Sequence, residues 1–340
     1  MDSAELKKII QGIPKAELHL HIEGSFEPEL MFKIAKRNNI SLDYDSIKSL
    51  KNAYQFNNLQ EFLDIYYTGA KVLIHEQDFF DLTWAYLTKV HSQNVLHVEV
   101  FFDPQTHTER GVEFEVVFNG IYKALEKAKE ELNITFKLIM SYLRHLSEES
   151  AFETLEASKP FKKWIDGVGL DSSELGNPPS KFTEVFKASA KQGYKLVAHA
   201  GEEGPAQYIW EALDLLNVVR IDHGNRCLDD DALVQRLIEE NIPLTLCPLS
   251  NVALKVINTM DEHPVLKMLD KGILATIHSD DPAYFGGYMN ENYYETAKGL
   301  NLNLKHLEQL AINAFNASWL SPTAKEMYIM LVKRYFNSLN

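Results

Sequence analysis

Cysteine is nearly missing from this chain: its 340 residues hold only Cys227 and Cys247. Two thiols so far apart make neither a disulfide framework nor a Cys-x-x-Cys metal clamp. Long apolar runs are missing too, so no membrane-spanning helix, which needs roughly 18 or more such residues, is expected. Positive charge is scarce, with 34 Lys and Arg against 48 Asp and Glu for a net charge of -14. That balance repels nucleic-acid phosphates and anionic lipid surfaces, so neither nucleic acid nor membrane is expected as a partner. The start Met1-Asp2-Ser3-Ala4-Glu5 shows no basic region ahead of an apolar stretch. A cytoplasmic protein with reduced thiols is therefore expected. Gly, Pro and Ser nowhere gather into a linker and no repeat is visible, so residues 1–340 read as a single domain. The acidic surface leaves monomer and homodimer both open.

What is present is a large apolar share, 45% of residues, distributed in a regular alternation. Short runs rich in Val, Ile and Leu alternate with 3.6-residue helical patterns, the sequence form of repeated βα units. Candidate strands are Ala16 to Ile22, Val95 to Phe101, Phe136 to Tyr142, Gly167 to Leu170, Lys195 to Ala198, Val219 to Asp222, Ile242 to Leu246 and Leu274 to His278. Eight strands buried on both faces fit an α/β fold of the (β/α)8 TIM-barrel class. A doubly wound open sheet is the alternative, and no Gly-rich dinucleotide fingerprint supports it. The helical stretch 27–93 between the first two strands is too long for a regular barrel. It reads as an insertion, either a lid near the mouth or a cover on the barrel's outside.

His19 and His21 lie two apart on the first strand, where alternate side chains share a face and two imidazoles can reach one ion. Twelve histidines in 340 residues give about 0.4 such triplets by chance, so the pair alone is weak. Three more polar clusters sit at predicted strand ends: His199-Ala-Gly-Glu202, Asp222-His223-Gly224 and Ser279-Asp280-Asp281-Pro282. Singly, each reads as a core histidine, a strand-ending pair or a turn with a helix cap. In a barrel, however, the carboxyl ends of all strands open on one face, so the four clusters converge.

Three imidazoles and a carboxylate, from His19, His21, His199 and Asp280, make a catalytic divalent metal site completed by water. Zn2+ suits this donor mixture without thiolate, and Fe2+ or Mn2+ suits it as well. The fourth strand runs into Leu170-Asp-Ser-Ser-Glu174 with no lysine to bridge a second ion, so one ion is expected. A divalent ion brings the pKa of bound water near neutrality. His223, outside the ligand set, can stand beside that water as base or electrostatic guide. Glu202 can donate a proton if a closed pocket raises its pKa. Asp281 faces the same mouth and could accept a hydrogen bond from a ring N–H. Such groups suit hydrolytic attack on an electrophilic carbon beside a protonatable nitrogen.

In this order the four motifs resemble the adenosine and adenine deaminase family of the amidohydrolase superfamily, over nearly the whole chain. The resemblance implies attack at C6 of an adenine ring, with His19, His21, His199 and Asp280 as metal ligands and His223 as the catalytic histidine. It implies Glu202 as proton donor to N1 and Asp281 as the contact at N7. The zinc deaminases that act on flipped bases carry a different signature, with Pro-Cys-x-x-Cys, which this chain lacks. Adenosine-acting members are similar but place Asp where Glu23 stands and Gly where this chain places Ser172, so both residues are expected beside the substrate, narrowing its pocket. The segments Phe101-Phe-Asp-Pro-Gln105, Arg144-His-Leu-Ser-Glu148, Gly204-Pro-Ala-Gln-Tyr-Ile-Trp210, Cys247-Pro-Leu-Ser-Asn251 and Ala283-Tyr-Phe-Gly-Gly287 look like the branch acting on the free base. The implied reaction is adenine to hypoxanthine and ammonia, a step of purine salvage on a small purine base. The rival readings are deamination of adenosine or an N6-substituted adenine, and a metal-binding protein on a dead enzyme fold.

Overall fold

The computed structural model describes residues 2–339. Among them are eight parallel strands in chain order: β1 Lys15–His21, β2 Val95–Phe102, β3 Thr135–Leu143, β4 Gly167–Asp171, β5 Lys195–Ala200, β6 Arg220–His223, β7 Leu244–Leu246 and β8 Ala275–Ile277. Each pairs in parallel with the next, and helices fill the crossovers, as short parallel connections require. The ring closes where Leu20 of β1 bridges Asp280, just past β8. The fold is the expected (β/α)8 barrel.

The last two strands are shorter than their apolar runs. Pro243 has no N–H to give to a ladder, and β7 begins after it. Beyond Ile277, side chains do the work of main chain: His278 Nδ1 accepts the Leu18 N–H at 3.0 Å. Glu17 accepts the Ser279 N–H at 3.3 Å and the Ser279 hydroxyl. Main-chain pairing resumes at Asp280, whose N–H donates to His19 O at 3.2 Å while its carbonyl accepts the His21 N–H at 3.1 Å.

The helical stretch between β1 and β2 has two parts. Helix Glu76–His91 is the barrel's own outer helix, packed so closely on helix Phe114–Glu131 that a Cβ on Gly120 would lie 2.3 Å from the Glu76 carbonyl. Helix Leu59–Ala70 instead lies over the mouth. Its Phe62, Leu63 and Tyr66 form a separate apolar cluster with Phe56, Leu254, Tyr284 and Phe285. Met31, Ile34 and Leu50 of the same stretch join the main core. The stretch thus holds both an outer helix of the barrel and a helix over its mouth.

Inside the barrel, alternate residues of each strand share the interior face. Arg220 and Asp222 of β6 do so, with Arg220 Nε 3.6 Å from Asp222 Oδ1. The Arg220 guanidinium donates to Glu99 Oε2 at 2.5 Å and to Leu18 O at 3.2 Å, and it stacks 4.9 Å from the Trp319 ring. Burial pushes the Glu99 carboxyl up, but Arg220 and the His97 hydrogen bond outweigh it and hold the pKa at about 2. Removing one partner of a fully buried pair strands the other charge. Arg220→Ala should therefore lose about 3–5 kcal/mol in urea unfolding. A carboxylate depressed in the folded state stabilises it above the unfolded pKa of about 4.3. The pair's contribution should be complete at pH 6 and fade as pH falls toward 2, and a pH-independent difference between wild type and Glu99→Gln would contradict this.

Candidate active site

The barrel seam and the site are one piece of structure. His19 and His21 point inward from β1, Asp280 reaches in from the bridge that closes the ring, and His199 comes from β5. His21 Nε2 lies 3.1 Å from His199 Nε2 and 3.5 Å from Asp280 Oδ1, and His19 Nε2 lies 3.2 Å from Asp280 Oδ1. All four donors fall within 4.8 Å of one another. Donors 2.0–2.1 Å from a tetrahedral ion stand about 3.3 Å apart, so this cage has the size a first-row divalent metal needs.

Hydrogen bonds on the far ring nitrogens set the tautomers. The Thr245 hydroxyl donates to Asp222 Oδ1 at 2.9 Å, so it can only accept from His19 Nδ1, also at 2.9 Å. That leaves the His19 Nε2 lone pair facing the cage. Asp171 Oδ2 lies 3.4 Å from His21 Nδ1, an ion-pair distance on the far side of that ring. Burial, with the charges of the neighbouring imidazoles, pushes His199 well below its usual pKa and keeps it neutral. An imidazole held by an outer partner with its other nitrogen turned to the cage is what a metal site requires.

His223 stands beside the cage, with Nε2 3.8 Å from Asp280 Oδ2 and 3.6 Å from Glu202 Oε2. Its tautomer is set by a chain of contacts: Val265 N–H to His263 Nδ1 at 3.3 Å, His263 Nε2 to Asn251 Oδ1 at 3.2 Å, Asn251 Nδ2 to His223 Nδ1 at 3.5 Å. The nitrogen facing the cage then carries the hydrogen and gives a hydrogen bond rather than taking one. Burial holds the His223 pKa down at about 3, so the ring is neutral.

Two carboxyls flank the cage. Burial, reinforced by Asp280 and Glu174, pushes Glu202 well above the usual carboxylate range. Burial and the adjoining Asp280 charge do the same to Asp281. Both shifts favour the protonated acid, the form that can donate a hydrogen bond to a ring nitrogen. The Glu202 turn is gripped by Glu174, whose carboxylate accepts the N–H groups of Gly201 at 2.7 Å, Glu203 at 2.8 Å and Gly204 at 2.7 Å.

Backbone strain marks the same spot. Ser172, His223 and Asp280 have φ of +74°, +65° and +63°. Apart from Lys255, every other non-glycine residue with positive φ among those described is an Asn, which tolerates it. Such strain gathers at functional sites, where surrounding structure enforces it.

An open space of about 40 Å3 adjoins the cage, lined by His21, His199, Glu202, His223, Asp280, Asp281 and Ser172. Its roof is Leu59, Phe62, Leu63, Tyr66 and Tyr67. Ser172 Oγ sits 2.9 Å from the Tyr67 hydroxyl and 2.8 Å from His145 Nδ1. His19 lies beneath the floor. Glu23 is placed differently from the expectation: it is not on the cavity wall. Its Oε1 lies 2.7 Å from His107 Nε2 and accepts the Asp103 N–H at 3.4 Å, so the side chain supports the wall from behind.

The family model for adenosine deaminase matches residues 14–335. The chain belongs to the adenosine deaminase family. Within it, the chain is 56% identical to the adenine deaminase of Marinomonas sp. over 97% of its own length and 99% of the relative's. It is 58% identical to the adenine deaminase of Acinetobacter baylyi, over 95% and 97%. The crystal structure of adenine deaminase from Arthrobacter aurescens superposes with a TM-score of 0.94 at 46% identity, covering 96% of this chain and 99% of that one. A Burkholderia ambifaria amidohydrolase solved with bound Zn shares the fold, with a TM-score of 0.89 at 24% identity over 98% and 93% of the two chains.

Several residues of this family member's site escaped the sequence reading. Asp103 and Asn251 lie in segments that resemble the free-base branch, and Asp171 and Glu174 in the run after the fourth strand, but no role was expected of them or of Tyr66 and His263. Gly24, by contrast, has a visible reason: a Cβ there would lie 1.9 Å from Asp281 Oδ1. Gly24→Ala must push that carboxyl aside. It should cost about 1–3 kcal/mol of stability in urea unfolding, as overpacking does, and lower turnover by more than tenfold. Unchanged turnover would show that Asp281 has freedom the packing denies it.

Proposed function

We propose that this chain hydrolyses adenine to hypoxanthine and ammonia, as a cytoplasmic step of purine salvage, with one Zn2+ held by His19, His21, His199 and Asp280. The observation that carries the reading is the pair of buried carboxyls, Glu202 and Asp281, flanking a metal-sized cage. A metal-binding protein needs the cage alone; a deaminase also needs acids beside it. The full-length similarity to relatives named adenine deaminase selects the base.

Bound in the cage, a divalent ion supplies a water of lowered pKa. The residues of the chain supply proton handling and orientation. Adenine has two ring nitrogens with lone pairs beside C6, N1 on one side and N7 on the other. Glu202 gives its proton to N1 as C6 accepts the oxygen of water, which makes C6 more electrophilic. Asp281 donates to N7 and fixes the ring plane. His223, with hydrogen on its cage-facing nitrogen, orients the attacking oxygen. A proton passing to the amino group lets it leave as ammonia, so adenine and water become hypoxanthine and ammonia.

Helix Leu59–Ala70 roofs the cavity, so the substrate's path to the cage passes it, and within the 27–93 insertion this helix is the lid. Its own aromatic cluster, separate from the barrel core, lets it move without opening that core. Hydrogen exchange over residues 56–70 should slow when hypoxanthine is bound, and exchange indifferent to hypoxanthine would remove the lid.

Ammonia release from adenine, adenosine and N6-methyladenine tests the substrate. Adenine should be preferred, and a clear preference for adenosine would overturn the assignment. Glu202→Gln should keep its metal by elemental analysis yet lose about 10²–10⁴ in kcat, since an amide cannot give the proton.

A further inference from the structure

Glu202 sits on the turn 201–204, which has no regular secondary structure and joins β5 to the helix Ala206–Asp214. Among the described residues no hydrogen bond holds the Glu202 carboxyl itself, which meets His223 Nε2 at 3.6 Å. The place of this acid is therefore set by the main chain that carries it. That main chain is held by a side chain from another loop: Glu174, fully buried and not part of the cavity wall.

Both Glu174 oxygens are used. Oε1 accepts the Gly201 N–H at 2.7 Å, and Oε2 accepts those of Glu203 at 2.8 Å and Gly204 at 2.7 Å, so the N–H groups on either side of Glu202 are pinned. Convergent main-chain N–H groups form an anion cradle, and here the anion is a side chain of the protein itself. Two glycines are fitted to it. Gly201 has φ of +69°, which glycine adopts freely, and a Cβ on Gly204 would lie 2.8 Å from Glu174 Cδ. The clamp is also joined to the cage through Arg144, which is fully buried. Its Nη1 donates to the carbonyl of the ligand His199 at 2.7 Å, and its Nε to the Asn177 carbonyl at 2.8 Å. The Asn177 N–H in turn donates to the Glu174 carbonyl at 3.1 Å. One arginine thus spans the strand of a metal ligand and the loop that carries Glu174.

We infer that Glu174 is the positioning residue of the proton donor: its carboxylate fixes the Glu202 turn against the cage, so that the acid meets the ring nitrogen beside the carbon under attack. Glu174 lies outside both the cage and the cavity wall and acts only through Glu202. Buried N–H groups need partners in any turn, so the bonds alone would also serve stability. What separates positioning from stability is the quantity a disturbance damages. A reacting group misplaced by about 1 Å costs on the order of 10²-fold in rate, while the groups that bind the ground state are left where they were. The inference rests on Glu202 being the proton donor of the proposed reaction.

The test is a double-mutant cycle on adenine turnover by the metal-loaded enzyme, with metal content followed by elemental analysis. Glu174→Gln keeps the size of the side chain but turns an amide N–H toward the cradle. Gly204→Ala leaves Glu174 chemically intact and displaces its carboxylate, and it carries the test alone if Glu174→Gln does not fold. Each should lower kcat about 10–100-fold, change KM by less than about threefold and leave the metal content as it was. In a Glu202→Gln background the same two changes should cost less than about threefold in kcat, because the group they misplace no longer donates. Loss by the same factor in both backgrounds, or a loss of metal, would show that Glu174 serves the fold or the cage and would overturn the inference. Unchanged kcat in Glu174→Gln and Gly204→Ala would overturn it as well. Full kcat in Glu202→Gln alone would overturn the assignment of the proton donor and this inference with it.

Discussion

The closing bridge between Leu20 and Asp280 is the contact on which the rest depends. A parallel barrel must join its last strand to its first, and here the joint is made by the residues that form the cage. The main chains of His19, His21 and Asp280 exchange the hydrogen bonds that shut the ring, while their side chains meet 3.2–3.5 Å apart inside it. Fold closure and site geometry therefore cannot drift independently. Asp280 reaches the bridge only with φ at +63°, a conformation disfavoured for a residue with a Cβ. The preceding Ser279 is tied through both N–H and hydroxyl to Glu17, which also accepts the Tyr86 hydroxyl at 2.6 Å. Tyr86 belongs to the barrel's outer helix, so the strained turn is anchored to the exterior of the fold through β1.

Beneath the cage, buried charge is arranged in pairs; around it, charge is left unpaired. Glu99 and Arg220 neutralise one another, and Glu99 also accepts the Trp319 N–H. Nearer the mouth, Asp103, Asp171 and Asp281 each keep an oxygen that bonds nothing in the protein. Desolvated carboxyls so close together raise each other's proton affinity, and this is how the site holds neutral acids at neutral pH. Burial raises Glu202 and Asp281 first, and the cage carboxylate Asp280, which the surrounding imidazoles hold ionised against its own burial, adds to the rise.

Most of the barrel and the reactive half of the site were legible in the sequence. Strands buried on both faces write themselves as apolar runs, and His19, His21, His199, Glu202, His223, Asp280 and Asp281 all sit at strand ends, where topology brings them together. The remainder depends on contacts between distant segments that no local pattern encodes. Glu174 grips a turn some 30 positions away, Asn251 and His263 orient His223, and Asp103 meets Tyr66 across the mouth. Glu23 shows the limit from the other direction. Its place beside the histidine pair suggested contact with substrate, yet a β-strand ends at His21, and the short turn that follows carries Glu23 outward to His107. The alternating rule that located the histidines stops where the strand stops.

The cage explains hydrolysis but not selectivity, because the same donors serve any purine whose C6 can reach them. Selectivity must come from the wall and roof, and these are coupled to the cage by chain connectivity. Asp281 opens the helix Pro282–Phe285, whose Tyr284 and Phe285 pack against Phe62 and Tyr66 of the roof. Tyr66 in turn holds Asp103. Roof and wall therefore meet the site through one aromatic cluster, and seating the roof excludes water from the hydrogen bonds made beneath it.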